Sequence, residues 1–250
     1  MSGVLPTSPV RLSLVIPAYN ESKLLPRLLD TVDAARRAYA RGPDAVEVIV
    51  ADNGSSDDTA AIAARYGCRV VPVAIRNIGA VRNAGARASR GELLCFVDAD
   101  SRLHPDVFNA VDDALSSGKY SVGATGVTLE RWSLGILCTF MLLVPIVVLT
   151  RIDTGLVFCR RADFDAVNGY DERRAAAEDV MFHVALMRHG RSKGQRAVRL
   201  TRVKAIASTR KFDEHGDWHY FQLFPHAARM LRDPAHRSAA TDRYWYPDAR

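Results

Sequence analysis

Within the first hundred residues, four short apolar runs alternate with segments of helical periodicity, and few folds accommodate that pattern. The runs cover residues 12–16, closed by Pro17, then 46–51, 68–73 and 92–97. After the first run, Leu24, Leu25, Leu28, Leu29 and Val32 recur at the 3.6-residue spacing of a helix reaching Arg41, where Gly42-Pro43 stops it. Ser55 with Asp58 reads as a capping box that opens a second helix to Tyr66. The Ala-rich residues 78–89 read as a third helix and residues 105–115 as a fourth. Strands alternating with helices of this length are βαβ units, so the expectation is an α/β fold with a mostly parallel sheet flanked by helices. Ligands of such sheets bind beyond the carboxyl ends of the strands. Three loops carry polar clusters at that edge: Tyr19-Asn20-Glu21, residues 52–57 and residues 98–101.

The second half is less regular. Residues 121–129 and 154–159 read as strands, and 178–188 as a short helix with Val180, Val184 and Met187 on one face and Gly190 as its stop. Glu178 and Asp179 fall in its first turn, where acidic residues complement the helix dipole. Between these elements, residues 132–150 carry no charge and are bracketed by Arg131 and Arg151; the run is within the length range of a membrane span. Residues 1–10 read as a loose leader, 11–232 as one domain and 233–250 as a mobile tail. The first apolar run is too short for a secretory signal and Asn20-Glu21 follows at once.

Composition narrows the classes. Of 250 residues, 48% are apolar and 25% charged, which excludes a disordered or collagen-like chain. Cys68, Cys95, Cys138 and Cys159 are far apart with no Cys-x-x-Cys spacing, and read as small buried hydrophobes of a reducing, cytoplasmic compartment. The net charge of +6, carried mostly by Arg, is compatible with a nucleotide, an anionic membrane or nucleic acid. No basic stretch is interleaved with aromatics, so nucleic acid is not expected as a partner.

Asp98 and Asp100 stand two residues apart at a strand end. On an extended segment both carboxylates face one way, a pair of hard oxygen donors suited to Mg²⁺ or Mn²⁺. An isolated Asp-x-Asp is more often an ordinary acidic turn, but this one has company. The chain reads Leu14-Val15-Ile16-Pro17-Ala18-Tyr19-Asn20-Glu21, then Val50-Ala51-Asp52-Asn53-Gly54-Ser55-Ser56-Asp57-Asp58-Thr59. There follow Arg76-Asn77-Ile78-Gly79-Ala80-Val81-Arg82-Asn83-Ala84-Gly85, Val97-Asp98-Ala99-Asp100, Gly169-Tyr170-Asp171-Glu172 and Ala177-Glu178-Asp179-Val180. Over roughly residues 11–190 this order resembles glycosyltransferase family 2, the nucleotide-sugar transferases of GT-A fold.

The resemblance implies a nucleotide and metal half to residue 120 and an acceptor half beyond it. It implies that Pro17, Ala18, Tyr19, Glu21, Asp52 and Asn77 form the nucleotide pocket, and that Arg82 lies near the phosphates. Asp98 would lie near ribose and metal, Asp100 would ligate the metal, and Asp179, with Glu178 beside it, would be the catalytic base of an inverting transfer. His215 is a candidate third metal ligand, with a solvated loop histidine as the plainer reading. Trp218 reads equally as a sugar platform or a core aromatic. No Gln-x-x-Arg-Trp is present, so a non-processive enzyme is expected.

If residues 132–150 crossed a bilayer once, Asp100 and Asp179 would lie on opposite sides and could not share a site. The run is therefore expected to be a helix that does not span, interrupted at Pro145. Burial or a homodimer contact is favoured over peripheral contact with the inner face of a membrane, which would suit a lipid-linked acceptor. The competing functions are a nucleotidyltransferase, disfavoured because residues 17–21 are not a Gly-rich basic loop, and an inactive membrane- or partner-binding scaffold, disfavoured by the retained acids. A nicotinamide-dependent oxidoreductase is disfavoured because no Gly-x-Gly-x-x-Gly follows the first strand.

Overall fold

The central strand has no solvent-facing side. β1, Leu12–Ala18, is buried at every position, which explains its unbroken apolar sequence. A computed structural model describes residues 9–221 except 151, 154, 175 and 176. Most of the expected leader, the expected tail, the end of the expected domain and the Thr154 start of one expected strand lie outside the described residues. Among those described, seven strands form one sheet: β1, β2 (Val46–Asp52), β3 (Arg69–Pro72), β4 (Leu93–Phe96), β5 (Tyr120–Leu129), β6 (Val157–Arg160) and β7 (Arg196–Ala207). Across the sheet their order is β3-β2-β1-β4-β6-β5-β7. All run one way except β6, which pairs antiparallel with β4 and β5. The chain moves outward from β1 to β3 and then returns to the other side of β1 at β4. That reversal opens a crevice beyond the ends of β1 and β4.

The helices are α1 (Leu25–Ala38), α2 (Thr59–Arg65), α3 (Ile78–Ala88), α4 (Val107–Ser116), α5 (Leu134–Thr150), α6 (Arg161–Ala166), α7 (Glu178–Arg191) and α8 (Arg210–His215). The strand pleat sorts the core onto two faces. Leu14 and Ile16 pack with α1, α2 and α4, whereas Val15 packs with α3, α6 and α7. Gly85 brings α3 against β1, since a Cβ there would overlap the Val15 side chain.

Several expectations are corrected. Pro17 does not end β1; it lies inside the strand opposite Ala51, near the end of the ladder, where one missing donor is tolerated. The Ser55–Asp58 capping box does not form. Ser55 Oγ instead accepts the Asn20 N–H at 3.0 Å, and Asp57 Oδ1 receives the Thr59 N–H at 3.0 Å. On α7 the buried face is Phe182, His183, Leu186 and Gly190, while Val180 is exposed. The sheet lies on the Phe182 side, where Phe182 stacks on Tyr170 with ring centroids 4.0 Å apart. Gly190 is not a stop, since α7 continues to Arg191; it lets the helix approach Ser121. β7, α6 and α8 were not anticipated.

α5 is continuous through Pro145, and both Pro145 and Met141, four residues before it, are exposed. The expected burial of the run is not found. Leu134, Leu137, Met141, Leu142 and Leu149 are exposed. Both sheet faces are already covered by other helices, so no core surface remains for α5. The strands that flank it, β5 and β6, are sheet neighbours, so the chain returns on the side it left. Among the described residues no helix is long and apolar enough to cross a membrane.

The buried carboxylate of Asp112 ties α4 to α1 and to the start of β1. It accepts from Arg11 Nη2 at 2.9 Å, Tyr39 Oη at 2.7 Å, Arg41 Nε at 2.6 Å and Ser116 Oγ at 2.9 Å. Burial opposes its charge, but the bonds from Tyr39, Arg11 and Arg41 outweigh burial and hold its pKa at about 2. Asp112→Ala leaves buried donors unpaired and should cost about 3–5 kcal/mol in urea unfolding; a loss under about 1 kcal/mol would show that the cluster is surface decoration.

Candidate active site

The crevice gathers the three polar loops. Asp52, the last residue of β2, is buried; its Oδ2 accepts the Ser55 N–H at 3.3 Å. Its Oδ1 has no partner among the described residues. Asn20 takes a left-handed conformation, φ 52°, that asparagine tolerates, and its Oδ1 accepts the Ser56 N–H at 2.8 Å. The Glu21 N–H donates to Thr59 Oγ1 at 2.8 Å, so the β1 and β2 loops are stitched together. Pro17 and Ala18 are buried in β1 and shape the floor. Tyr19 stands at the rim with the Arg76 guanidinium 5.6 Å from its ring centre.

β4 ends at Phe96, so Asp98 and Asp100 sit in a turn and not on the strand pleat as expected. They still converge. Burial, then the charges of Asp98 and Glu21, push the Asp100 carboxyl up to about 6. Glu21, itself raised by burial, accepts both arms of Arg210 at 2.9 and 3.0 Å. The same guanidinium lies 3.7 Å from Asp100 Oδ2. Lys211 follows, lowered to about 8 by burial, with the charges of Asp100 and Asp98 opposing that shift. Arg210 and Lys211 also line the crevice and were not among the expected site residues; the visible signal was two adjacent cations shortly before His215.

Arg82 joins the two halves of the site. It is 9% exposed, its Nη1 donates to Glu178 Oε1 at 2.7 Å, and its Nη2 donates to Asp98 Oδ1 at 2.9 Å. Its guanidinium also lies 5.4 Å from the Tyr170 ring centre. Burial disfavours its charge, but the surrounding carboxylates outweigh burial and keep it protonated. Both arms bond carboxylates, one of them the donor-site candidate Asp98. Ala177 precedes the acids in a left-handed conformation, φ 56° and ψ 27°, and turns the chain into α7. Asp179 Oδ1 accepts the Val180 N–H at 2.7 Å.

Two expected ligands do other work. Asn77 caps α3, accepting the Ala80 N–H at 2.9 Å, and its Nδ2 donates to the Arg174 carbonyl at 3.0 Å, anchoring the loop that leads to α7. His215 turns its Nδ1 to the Lys211 carbonyl, 3.2 Å away on its own helix. Among the described residues no group of three His, Cys, Asp or Glu is placed to hold a metal, so His215 does not join Asp98 and Asp100. Trp218, 47% exposed, is not a core aromatic.

Residues 13–133 match the family described as Glycosyl transferase family 2. That stretch belongs to glycosyltransferase family 2. An undecaprenyl-phosphate 4-deoxy-4-formamido-L-arabinose transferase of Pseudomonas paraeruginosa is 40% identical over 119 residues, 45% of this chain and 34% of that protein. Dolichyl-phosphate beta-glucosyltransferase ALG5C of Trichomonas vaginalis is 36% identical over 118 residues, 44% of this chain and 35% of its own. The match thus spans about a third of these relatives' length. Among solved structures, mannosyltransferase PcManGT from Pyrobaculum calidifontis, in complex with GDP-Man and Mn²⁺, superposes with a TM-score of 0.64 at 18% identity, over 97% of this chain and 73% of that one. S. aureus TarS 1–349 in complex with UDP-GlcNAc gives 0.62 at 18% identity, over 80% and 58%. These likenesses show the GT-A fold.

Two local features of α7 can be tested. The left-handed Ala177 is strained, and Ala177→Gly should raise stability by about 1 kcal/mol in thermal unfolding; a destabilised variant would contradict the strain. His183 is 1% exposed, neither ring nitrogen has a partner among the described residues, and burial lowers its pKa to about 4. The unfolded chain binds this proton near the ordinary pKa of about 6.5, so the contribution is full above that pH and is lost as pH falls toward 4. His183→Leu should flatten the pH dependence of unfolding free energy in that window by up to about 3 kcal/mol. An unchanged profile would mean that the ring titrates freely in the folded protein.

Proposed function

We propose that the protein is a non-processive, inverting glycosyltransferase that moves a sugar from a nucleotide donor to a lipid-linked acceptor, with Mg²⁺ or Mn²⁺ as cofactor. The observation that carries this reading is the Arg82 bridge. One buried guanidinium grips Asp98 at the donor end and Glu178 at the acceptor end, so both ends of a transfer fall within a few ångström. Residues 11–120 supply the donor half and 121–232 the acceptor half.

Asp52 Oδ1 is a buried acceptor that suits an N–H of the donor's base. Asp98 and Asp100 fit a divalent cation. They are hard oxygen donors, and Asp100 is pushed up first by burial and then by the neighbouring Asp98 and Glu21 charges, which a cation bound there would offset. Two protein carboxylates match the small number such an ion takes when substrate phosphates complete its shell. When bound there, the ion would neutralise charge on the departing nucleotide diphosphate. Arg210 and Lys211 add positive charge beside the same acids. Glu178 is pinned by Arg82, which leaves Asp179 as the carboxylate to take a proton from the acceptor oxygen. In-line attack opposite the leaving group inverts the anomeric carbon. The undecaprenyl-phosphate and dolichyl-phosphate relatives support a lipid acceptor, and a peripheral position at the cytoplasmic face of a membrane goes with that reading. The four unpaired cysteines fit that compartment.

Thermal stabilisation by UDP- and GDP-sugars with Mn²⁺ tests the donor half. Asp100→Ala should abolish the metal-dependent part. Asp179→Asn should keep it while transfer to a polyprenyl phosphate falls about 10²–10⁴-fold. Unchanged transfer by Asp179→Asn would remove the base assignment, and a wild-type protein indifferent to all nucleotide-sugars would remove the whole reading.

A further inference from the structure

α5 carries an apolar stripe that nothing else among the described residues covers. Leu134, Leu137, Met141, Leu142 and Leu149 are 70, 45, 63, 43 and 86% exposed. At 3.6 residues per turn they share one side of the helix, within about 140° of its circumference. The packed side is short: Gly135, Ile136 and Thr139 are buried, and Gly135 lies against the Asp217 backbone. Two exposed indoles rim the same end. Trp132, 48% exposed, precedes the helix, and Trp218, 47% exposed, adjoins Asp217. Arg131 sits beside them, paired with Asp213 at 2.6 Å and Asp217 at 2.7 Å.

We infer that α5 and Trp218 form the surface by which this protein docks on an anionic lipid bilayer, with α5 lying in the headgroup–acyl boundary. A contiguous apolar stripe of this extent is unusual on a soluble monomer. A second copy of the chain would need directional groups to fix its register, and the exposed stripe offers no polar side chain. Hydrocarbon needs none. An indole puts its ring in the apolar layer and its N–H in the headgroups, which is why tryptophan collects at that depth. The net charge of +6 favours an anionic leaflet. α5 lies on the membrane and does not cross it, because β5 and β6 hold both its ends on one side. This deepens, and rests for its purpose on, the lipid-acceptor reading. α8 links the docked end to the donor acids, through Asp213 on Arg131 and Arg210 on Glu21. A phosphate presented at the leaflet surface therefore arrives one short helix from Asp100.

Co-sedimentation of the full chain with phosphatidylcholine vesicles, with and without phosphatidylglycerol, tests this. In a Trp245→Phe background, acyl-brominated lipid should quench and blue-shift the emission of Trp132 and Trp218. Leu137→Glu with Met141→Glu should weaken binding to anionic vesicles at least about 10-fold. These exposed substitutions should leave metal-dependent nucleotide binding intact, which also reports that the variant is folded. No vesicle binding by the wild type, or equal binding by the double variant, overturns the inference. So does a concentration-dependent dimer, lost in the double variant, from a protein that ignores vesicles. A wild type that binds vesicles but no nucleotide would leave the docking surface standing and remove only the transferase reading.

Discussion

Much of the site rests on one buried guanidinium. Removing a charge such as Arg82 from water is costly, and the cost is recovered only if its partners are placed with good geometry. Asp98 and Glu178 meet that condition at 2.9 and 2.7 Å, and the Tyr170 ring adds a third contact. Arg82 projects from α3, Asp98 follows β4, and Glu178 opens α7, so the bridge locks three elements at the open edge of the sheet. Arg82 thereby ties the loop after β4 to the start of α7, beside the packing of Phe96 on Phe182.

The topology makes that meeting possible. Parallel β1, β2 and β4 deliver three loops to one edge, and the reversal of strand order at β1 leaves a gap between them. β6 runs against its neighbours, which returns the chain to the sheet after α5 and lets α7 begin beside β4. A second pair of cations, Arg210 and Lys211, comes from beyond β7 and faces Glu21 and Asp100. The acid cluster is therefore enclosed by positive groups from both halves. Charge enters or leaves such an enclosure most easily in balanced pairs, as with a divalent cation and a diphosphate.

The first half was legible because its signals are local. Apolar runs of five or six residues, helical periodicity and Gly42-Pro43 mark β1 to β4 and α1 to α4 within a few residues. The motif order named the fold and the acids. The second half resisted because its outcomes depend on neighbours. Val180, Val184 and Met187 are as apolar as Phe182 and Leu186, and only the position of the sheet decides which face of α7 is buried. Ser55 is a good cap by type, yet the β1 loop claims its hydroxyl. The intrachain partners of Arg82 and Asn77 could not be read from the sequence, because a donor's partner is whatever acceptor folding brings near.

By itself the sequence determined the α/β class, the carboxylates at the strand ends and the apolar character of residues 132–150, since each is written in residue type and spacing along the chain. Tertiary structure decided what those residues do to one another: that Arg82 bridges the two acidic motifs, that His215 stays away from the Asp98–Asp100 pair, and that α5 stands exposed. Contacts between residues far apart in the chain depend on strand order and on which core faces are already covered, and neither quantity is encoded in any local window.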